Sequence, residues 1–232
     1  MTLLKEINQS FLHLFFPHVC AGCGNDLPSA RTLLCLRCIS NLPETRFESF
    51  AGNPVEKIFW GRLPVVSATA GFYFNKETLV QNLMHQFKYN SQVELGFQLG
   101  YMMGEHLLRS HRFPVEALIP LPLYEPREKQ RGFNQSFVLC EGMSRVLQIP
   151  VLKNVVRRSQ YTESQTRKGR IERWNNMEGR FELTDPSLIS GKHILLVDDV
   201  VTTGATLEAC GTELLKADNT LLSIATLCIA AR

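Results

Sequence analysis

Two adjacent carboxylates close an apolar run and are followed at once by hydroxyls and a glycine: Ile194-Leu-Leu-Val-Asp198-Asp199-Val-Val-Thr202-Thr203-Gly204-Ala205-Thr206. The apolar residues, lacking alternation, read as a buried strand, and a helix begins after the Thr-Gly loop. In an open parallel sheet, ligands bind in the crevice beyond the carboxyl ends of the strands. Backbone N–H groups at a helix start, threonine hydroxyls and a glycine that admits close backbone approach make a cradle for one phosphate along Thr202, Thr203, Gly204, Ala205 and Thr206. Two carboxylates beside that cradle would repel a phosphate unless they grip something else. A vicinal diol, as on a ribose, suits such a pair of acceptors, and a nearby divalent cation is favoured too.

Rival readings fall short. A lone Asp or Thr here would simply cap the helix, but the conjunction of Asp-Asp with Thr-Thr-Gly-x-Thr exceeds what a cap needs. A Walker A loop needs Lys after the glycine, and Ala205 stands there. A receiver domain opens with a similar strand but needs most of a domain downstream of Asp199.

A second chemistry sits near the N-terminus. Of seven cysteines, four are grouped as Cys20-x2-Cys23 and Cys35-x2-Cys38, while Cys140, Cys210 and Cys228 stand alone in apolar surroundings. With no export signal expected, paired CxxC units point to metal rather than to a disulfide framework. Four thiolates at this spacing suit tetrahedral Zn2+. Gly22 and Gly24 fit a knuckle whose N–H groups point at sulfur. With four cysteine ligands no position is left for a catalytic water, so the zinc is expected to be structural; His18 is a spectator. A redox CxxC pair is the rival, and it would want a single pair in a βαβ context.

These groups need a frame. Leu3, Leu4, Ile7, Phe11, Leu14 and Phe15 recur at helical steps and predict a short packing helix ending at Pro17. Residues 41–63, with Pro43, Gly52, Pro54 and Gly61, show no sustained period. Beyond them strands are expected at Val65–Phe74, Glu116–Leu121, Val151–Val156, His193–Val197 and Thr220–Ala230. Helices are expected at Lys76–Lys88, Gln92–Arg112, Asn134–Leu147 and Thr203–Ala217. Strand–helix alternation with unbroken apolar strands is the pattern of a parallel sheet covered on both faces. The chain divides into an N-terminal helix and cysteine module (1–45), a connector (46–63) and an α/β domain (64–232). At 232 residues and 44% hydrophobic it is neither disordered nor repetitive. The longest nearly apolar stretch, Leu221–Ala231, is shorter than the ~20 residues of a membrane span. No membrane insertion is expected, and the cytoplasm is the expected compartment. Net charge is +3, but the segment Arg157–Arg180 alone carries seven basic residues against three glutamates. That segment faces an anion, binds nucleic acid, or is a solvated face.

Residues 194–206 resemble the phosphoribosyl pyrophosphate (PRPP) signature of type I phosphoribosyltransferases. Three further segments follow: His85-Gln-Phe-Lys88-Tyr89; Pro120-Leu-Pro122 leading to Arg131-Gly-Phe-Asn134-Gln135-Ser136; and Thr162-x-x-Gln165 with Arg173-x-x-Asn176 and Phe181. In that order they resemble the competence protein F family, which joins an N-terminal cysteine module to a phosphoribosyltransferase-like domain. The resemblance implies a type I phosphoribosyltransferase-like sheet. It also implies that Asp198 and Asp199 hold the ribose hydroxyls and that Thr202 to Thr206 hold the 5′-phosphate. PRPP also carries a pyrophosphate and travels with Mg2+, so a second anion site is needed. The loop 122–132, with Arg127, Lys129, Arg131 and Gly132, is the candidate, a solvated turn the plainer reading. The segment 157–180, with Arg158 and Arg173, would close as a hood. Lys88 is a further candidate, although a lysine ending a helix often only offsets the helix dipole. Two functions stay open. One is a transferase displacing pyrophosphate at the anomeric carbon with a nitrogen nucleophile. The other is an adaptor handling single-stranded DNA that uses the PRPP pocket for sensing. The resemblance also implies a role in natural competence and a helicase-like competence ATPase as partner.

Overall fold

A computed structural model describes residues 18–27, 32–75, 78–89, 92–158 and 181–230. The helix expected over 2–16 and the basic residues from 159 to 180 lie outside them. Four strands, β1 (Ala68–Phe74), β2 (Ala117–Pro120), β5 (His193–Val201) and β6 (Leu221–Ala230), form one parallel sheet in the order β1-β6-β5-β2. A separate antiparallel pair joins β3 (Val156–Arg158) to β4 (Phe181–Leu183).

The unalternating apolar runs are explained by burial on both faces. Leu195, Val197, Ala225 and Leu227 point into a core closed by α3 (Leu79–Tyr89), α4 (Val93–Ser110) and α6 (Gln135–Leu147). Ile194, Leu196, Leu222 and Ile224 point the other way, toward α2 (Pro54–Phe59) and α7 (Ala205–Leu214). Each such buried Leu, Ile or Val side chain is worth about 1.5–3 kcal/mol. On the first face α4 and α6 cross closely: a Cβ on Gly142 would lie 2.1 Å from the Phe97 carbonyl oxygen. That crossing seats the N-terminus of α6 beside the end of β5.

Three elements differ from the sequence expectation. The strand expected at Val151–Val156 is reduced to a single bridge from Val151 to Leu118, after which the chain turns and pairs as β3 from Val156. β5 does not stop at Val197 but carries Asp198 and Asp199 inside it, because β6 continues alongside as far as the Val201–Ile229 pair. The loop 122–132 is mostly helical, as α5 (Glu125–Arg131).

Residues 46–63 fold onto the sheet. Asn53, fully buried, caps α2 by accepting from the Val55 and Glu56 N–H groups and donates to the carbonyls of Phe47, Phe50 and Ala68. Arg112 pairs with Glu56 at 2.8 Å and donates to the Phe50 carbonyl. Replacing Asn53 by alanine removes the cap and takes one donor from each of those carbonyls, of which Phe47 and Phe50 keep Arg112. The expected cost is about 2–4 kcal/mol in urea unfolding; a change below about 0.5 kcal/mol would contradict this account.

The cysteine module packs on the first face. Its α1 (Leu36–Ser40) is capped by Cys35, and Cys20, Leu27, Leu34 and Cys38 join the core of α3 and α4.

Candidate functional site

The register that pairs Pro120 with Val197 sets the end of β2 beside the middle of β5, and the Leu121 N–H donates to the Val197 carbonyl. Asp198 and Asp199 emerge at this edge, both half-buried. Each already has a partner from a different helix. Lys88 reaches from the last turn of α3 to within 2.6 Å of Asp199 Oδ2. The Ser136 hydroxyl, at the start of α6, donates to Asp198 Oδ1 at 3.1 Å, and the Asp199 N–H donates to the same oxygen at 2.8 Å. Burial and the neighbouring charge of Asp199 push Asp198 up to about 7, against the opposing pull of these donors and of Lys88. The sheet edge therefore holds one carboxylate balanced by a lysine and one poised to be neutral or charged near neutral pH.

After Val201 the chain makes the loop Thr202, Thr203, Gly204. Gly204 takes the left-handed conformation (φ 75°) and N-caps α7, which Ala205 and Thr206 open. Thr202 and Thr203 are exposed and Gly204 is buried. A Cβ on Gly204 would lie 2.6 Å from Ile58 Cγ2, so both space and backbone demand glycine. The first N–H groups of any helix lack intrahelical acceptors. Here the Ala205 N–H donates to Thr203 Oγ1 at 3.4 Å, and the helix start beyond it is favourable to an anion.

On the opposite side of Asp198, Asn134 caps α6 by accepting from the Ser136 and Phe137 N–H groups. Arg131, ending α5, donates to Gln135 Oε1 at 2.8 Å and lies over the Tyr89 ring, 5.7 Å from its centroid. Gly132 (φ 82°) terminates α5 by donating to the Glu128 carbonyl. Lys88, Tyr89, Arg131 and Ser136 are thus gathered on the α6 side of the carboxylates.

Other candidates lie elsewhere. Lys129 is spent on Glu125 at 2.7 Å. Arg127 lies in α5, with its side chain outside the description. Arg158 stacks over Phe181 in the β3–β4 pair, which packs against α7 rather than α6. Arg173 lies outside the described residues. Sequence reasoning did not single out Ser136 as a site residue, although Asn134 before Ser136 and Phe137 is the kind of cap signal that places it. It also passed over Arg62, which reaches the Thr203 carbonyl.

The four sulfurs of Cys20, Cys23, Cys35 and Cys38 all lie within 4.8 Å of one another. Tetrahedral zinc with Zn–S of about 2.3 Å separates its sulfurs by about 3.8 Å, so the cluster can hold a metal ion. The Cys35 N–H donates to Cys20 Sγ and the Cys38 N–H to Cys35 Sγ. Burial opposes ionisation of Cys20, yet N–H groups of Cys35, Cys23 and Gly22 bring it down to about 6. Burial and the other three sulfurs drive Cys38 strongly upward. Four thiolates crowd together here only if a cation balances them.

The phosphoribosyl transferase domain family matches residues 134–232. Over 202 residues the chain is 30% identical to Competence protein F of Haemophilus influenzae, covering 84% of this chain and 83% of that protein. It is 29% identical over 215 residues to the DNA utilization protein YhgH of Escherichia coli K12, covering 90% and 89%. Among solved structures, purine phosphoribosyltransferase from Pyrococcus horikoshii aligns at 19% identity with a TM-score of 0.38, over 61% of this chain and 75% of that one. The architecture is a parallel sheet flanked by helices, as in type I phosphoribosyltransferases. Among the described residues, no helix is long and apolar enough to cross a membrane.

Proposed function

Since the chain belongs to the competence protein F family, we propose that the edge of its sheet binds PRPP and that the protein works in competence-linked DNA utilisation in the cytoplasm. The observation that carries the reading is the convergence of Asp198 and Asp199, the Gly204 loop and the Lys88–Ser136 side on one sheet edge. The ribose diol donates to the two carboxylates. The 5′-phosphate takes the N–H groups that open α7 and the hydroxyls of Thr202, Thr203 and Thr206. The pyrophosphate lies toward α6, where Lys88, Arg131 and the Gly132 turn supply positive charge and donors.

In a transfer reaction a nitrogen nucleophile bonds to the anomeric carbon as the carbon–oxygen bond to pyrophosphate breaks. Positive charge grows on the ribose ring and is stabilised by the carboxylates beside it. Negative charge on the leaving group is met by Lys88 and Arg131. Mg2+ bound with the pyrophosphate supplies further charge neutralisation. We assign the cysteine cluster to one structural Zn2+.

The test is calorimetric titration with PRPP and Mg2+ on the parent and on the Asp198→Asn/Asp199→Asn double variant. A loss of about 100-fold or more in affinity is expected, and an unchanged Kd removes these carboxylates from the site. Pyrophosphate release with a panel of bases identifies a transferase. Salt-sensitive binding to single-stranded DNA without release identifies the adaptor.

A further inference from the structure

The segment 46–63 carries no residue of the proposed ligand site, yet it holds the phosphate loop. Arg62 Nη1 donates to the Thr203 carbonyl at 2.9 Å and to the Ile58 carbonyl at 3.2 Å, while Nη2 pairs with Glu208. Ile58 and Phe59 lie directly against Gly204, leaving no space for a Cβ there. The loop is therefore clamped from outside at two consecutive residues, Thr203 through its carbonyl and Gly204 through packing.

Glu208 makes the clamp more than scaffolding. It lies in the first turn of α7, where its own N–H closes on the Gly204 carbonyl. A carboxylate there is favourable for an isolated helix but stands beside the place where a doubly charged phosphate would sit. Arg62 neutralises that carboxylate and fixes the loop with one planar fork. A lysine carries the charge but not the geometry.

We propose that Arg62 is a positioning residue for the 5′-phosphate subsite, acting through the Thr203 carbonyl and by cancelling the charge of Glu208. The inference rests on the reading that residues 202–206 hold that phosphate. Three ligands separate the possibilities: PRPP with Mg2+, ribose 5-phosphate, and pyrophosphate with Mg2+. Arg62→Ala is expected to weaken PRPP and ribose 5-phosphate about tenfold and to leave pyrophosphate unchanged. Arg62→Lys and Arg62→Ala/Glu208→Gln are each expected to recover part of the loss, because both relieve the uncompensated carboxylate while neither restores the planar bond to the Thr203 carbonyl.

Equal weakening of all three ligands would mean general loosening of the fold and would overturn the proposal. So would unaltered affinity for ribose 5-phosphate in Arg62→Ala, or a double variant as weak as the single one. A parent protein that binds neither sugar phosphate overturns the functional reading itself. That outcome is distinct from a parent that binds both and does not respond to Arg62.

Discussion

Asp198→Asn is expected to stabilise the unliganded protein at pH 8 while weakening PRPP about 30–100-fold. The two effects share one cause. In the folded chain Asp198 is raised to about 7 by burial and by Asp199, from an ordinary value of 3.8. The native state thus holds a proton that the unfolded chain releases between about pH 4 and 7. The stability this proton contributes is fully present below the unfolded value and is lost as pH rises through the folded one. Above pH 7 the protein carries a partly buried charged carboxylate whose desolvation and repulsion by Asp199 a neutral isostere avoids. Asparagine keeps Oδ1, so the Ser136 hydroxyl and the Asp199 N–H retain their acceptor. The parent's melting temperature is therefore expected to fall from pH 5 to pH 8 more steeply than that of the variant. A variant no more stable than the parent at pH 8 contradicts the argument.

Binding moves the opposite way because of what each ligand offers. Removing one negative charge eases the approach of any phosphate, so inorganic pyrophosphate is expected to bind the variant as well as the parent or better. PRPP loses a charge-assisted bond from its diol, worth more than the repulsion relieved across a hydrated distance. Tighter PRPP binding by Asp198→Asn would mean that the diol does not sit on this residue.

The parts of this site that were legible in the sequence are those whose chemistry is local. Val-Asp-Asp followed by Thr-Thr-Gly encodes strand, turn and helix start within a dozen residues, and Cys-x2-Cys pairs fold over a single turn each. The fold class is equally local in origin, since unbroken apolar runs between helices leave few alternatives to a covered parallel sheet, whereas the order β1-β6-β5-β2 pairs strands distant in sequence and was not read from it. What stayed hidden depends on contacts between distant segments. Nothing near Lys88 marks Asp199 as its partner, and nothing near Arg62 marks Thr203, because these pairs form only once the helices dock. α2 spans six residues, too few to display a period, although Asn53-Pro54 is a cap followed by a first-turn proline. The end of β5 was missed for a related reason. The carboxylates look like a terminus in sequence, but the backbone of β6 goes on pairing beside them.

Cys38→Ser is expected to have the largest effect on the fold, because it removes a buried sulfur that belongs to two structures at once. Cys38 is one of the four clustered thiols and is also packed, 5% exposed, in the core shared with α3 and α4. A structural zinc site contributes its binding free energy to folding, of order 10 kcal/mol in small zinc modules. Here the module is also held by α3: Gln86 donates to the Ala21 carbonyl at 2.5 Å, and Asn82 to the Gly22 carbonyl at 3.3 Å. Loss of the metal therefore reaches beyond the module, since α3 two residues later presents Lys88 to Asp199. The expected result is a chain without bound zinc by mass spectrometry of the native protein, with residues 18–45 opened to protease. PRPP is expected to bind about three- to tenfold more weakly through a less constrained Lys88. Stripping the parent with a chelator is expected to reproduce all three changes, and returning zinc to reverse them. Full metal content in Cys38→Ser would refute the four-sulfur assignment. Intact PRPP affinity in the metal-free parent would show instead that α3 holds Lys88 in place without help from the module.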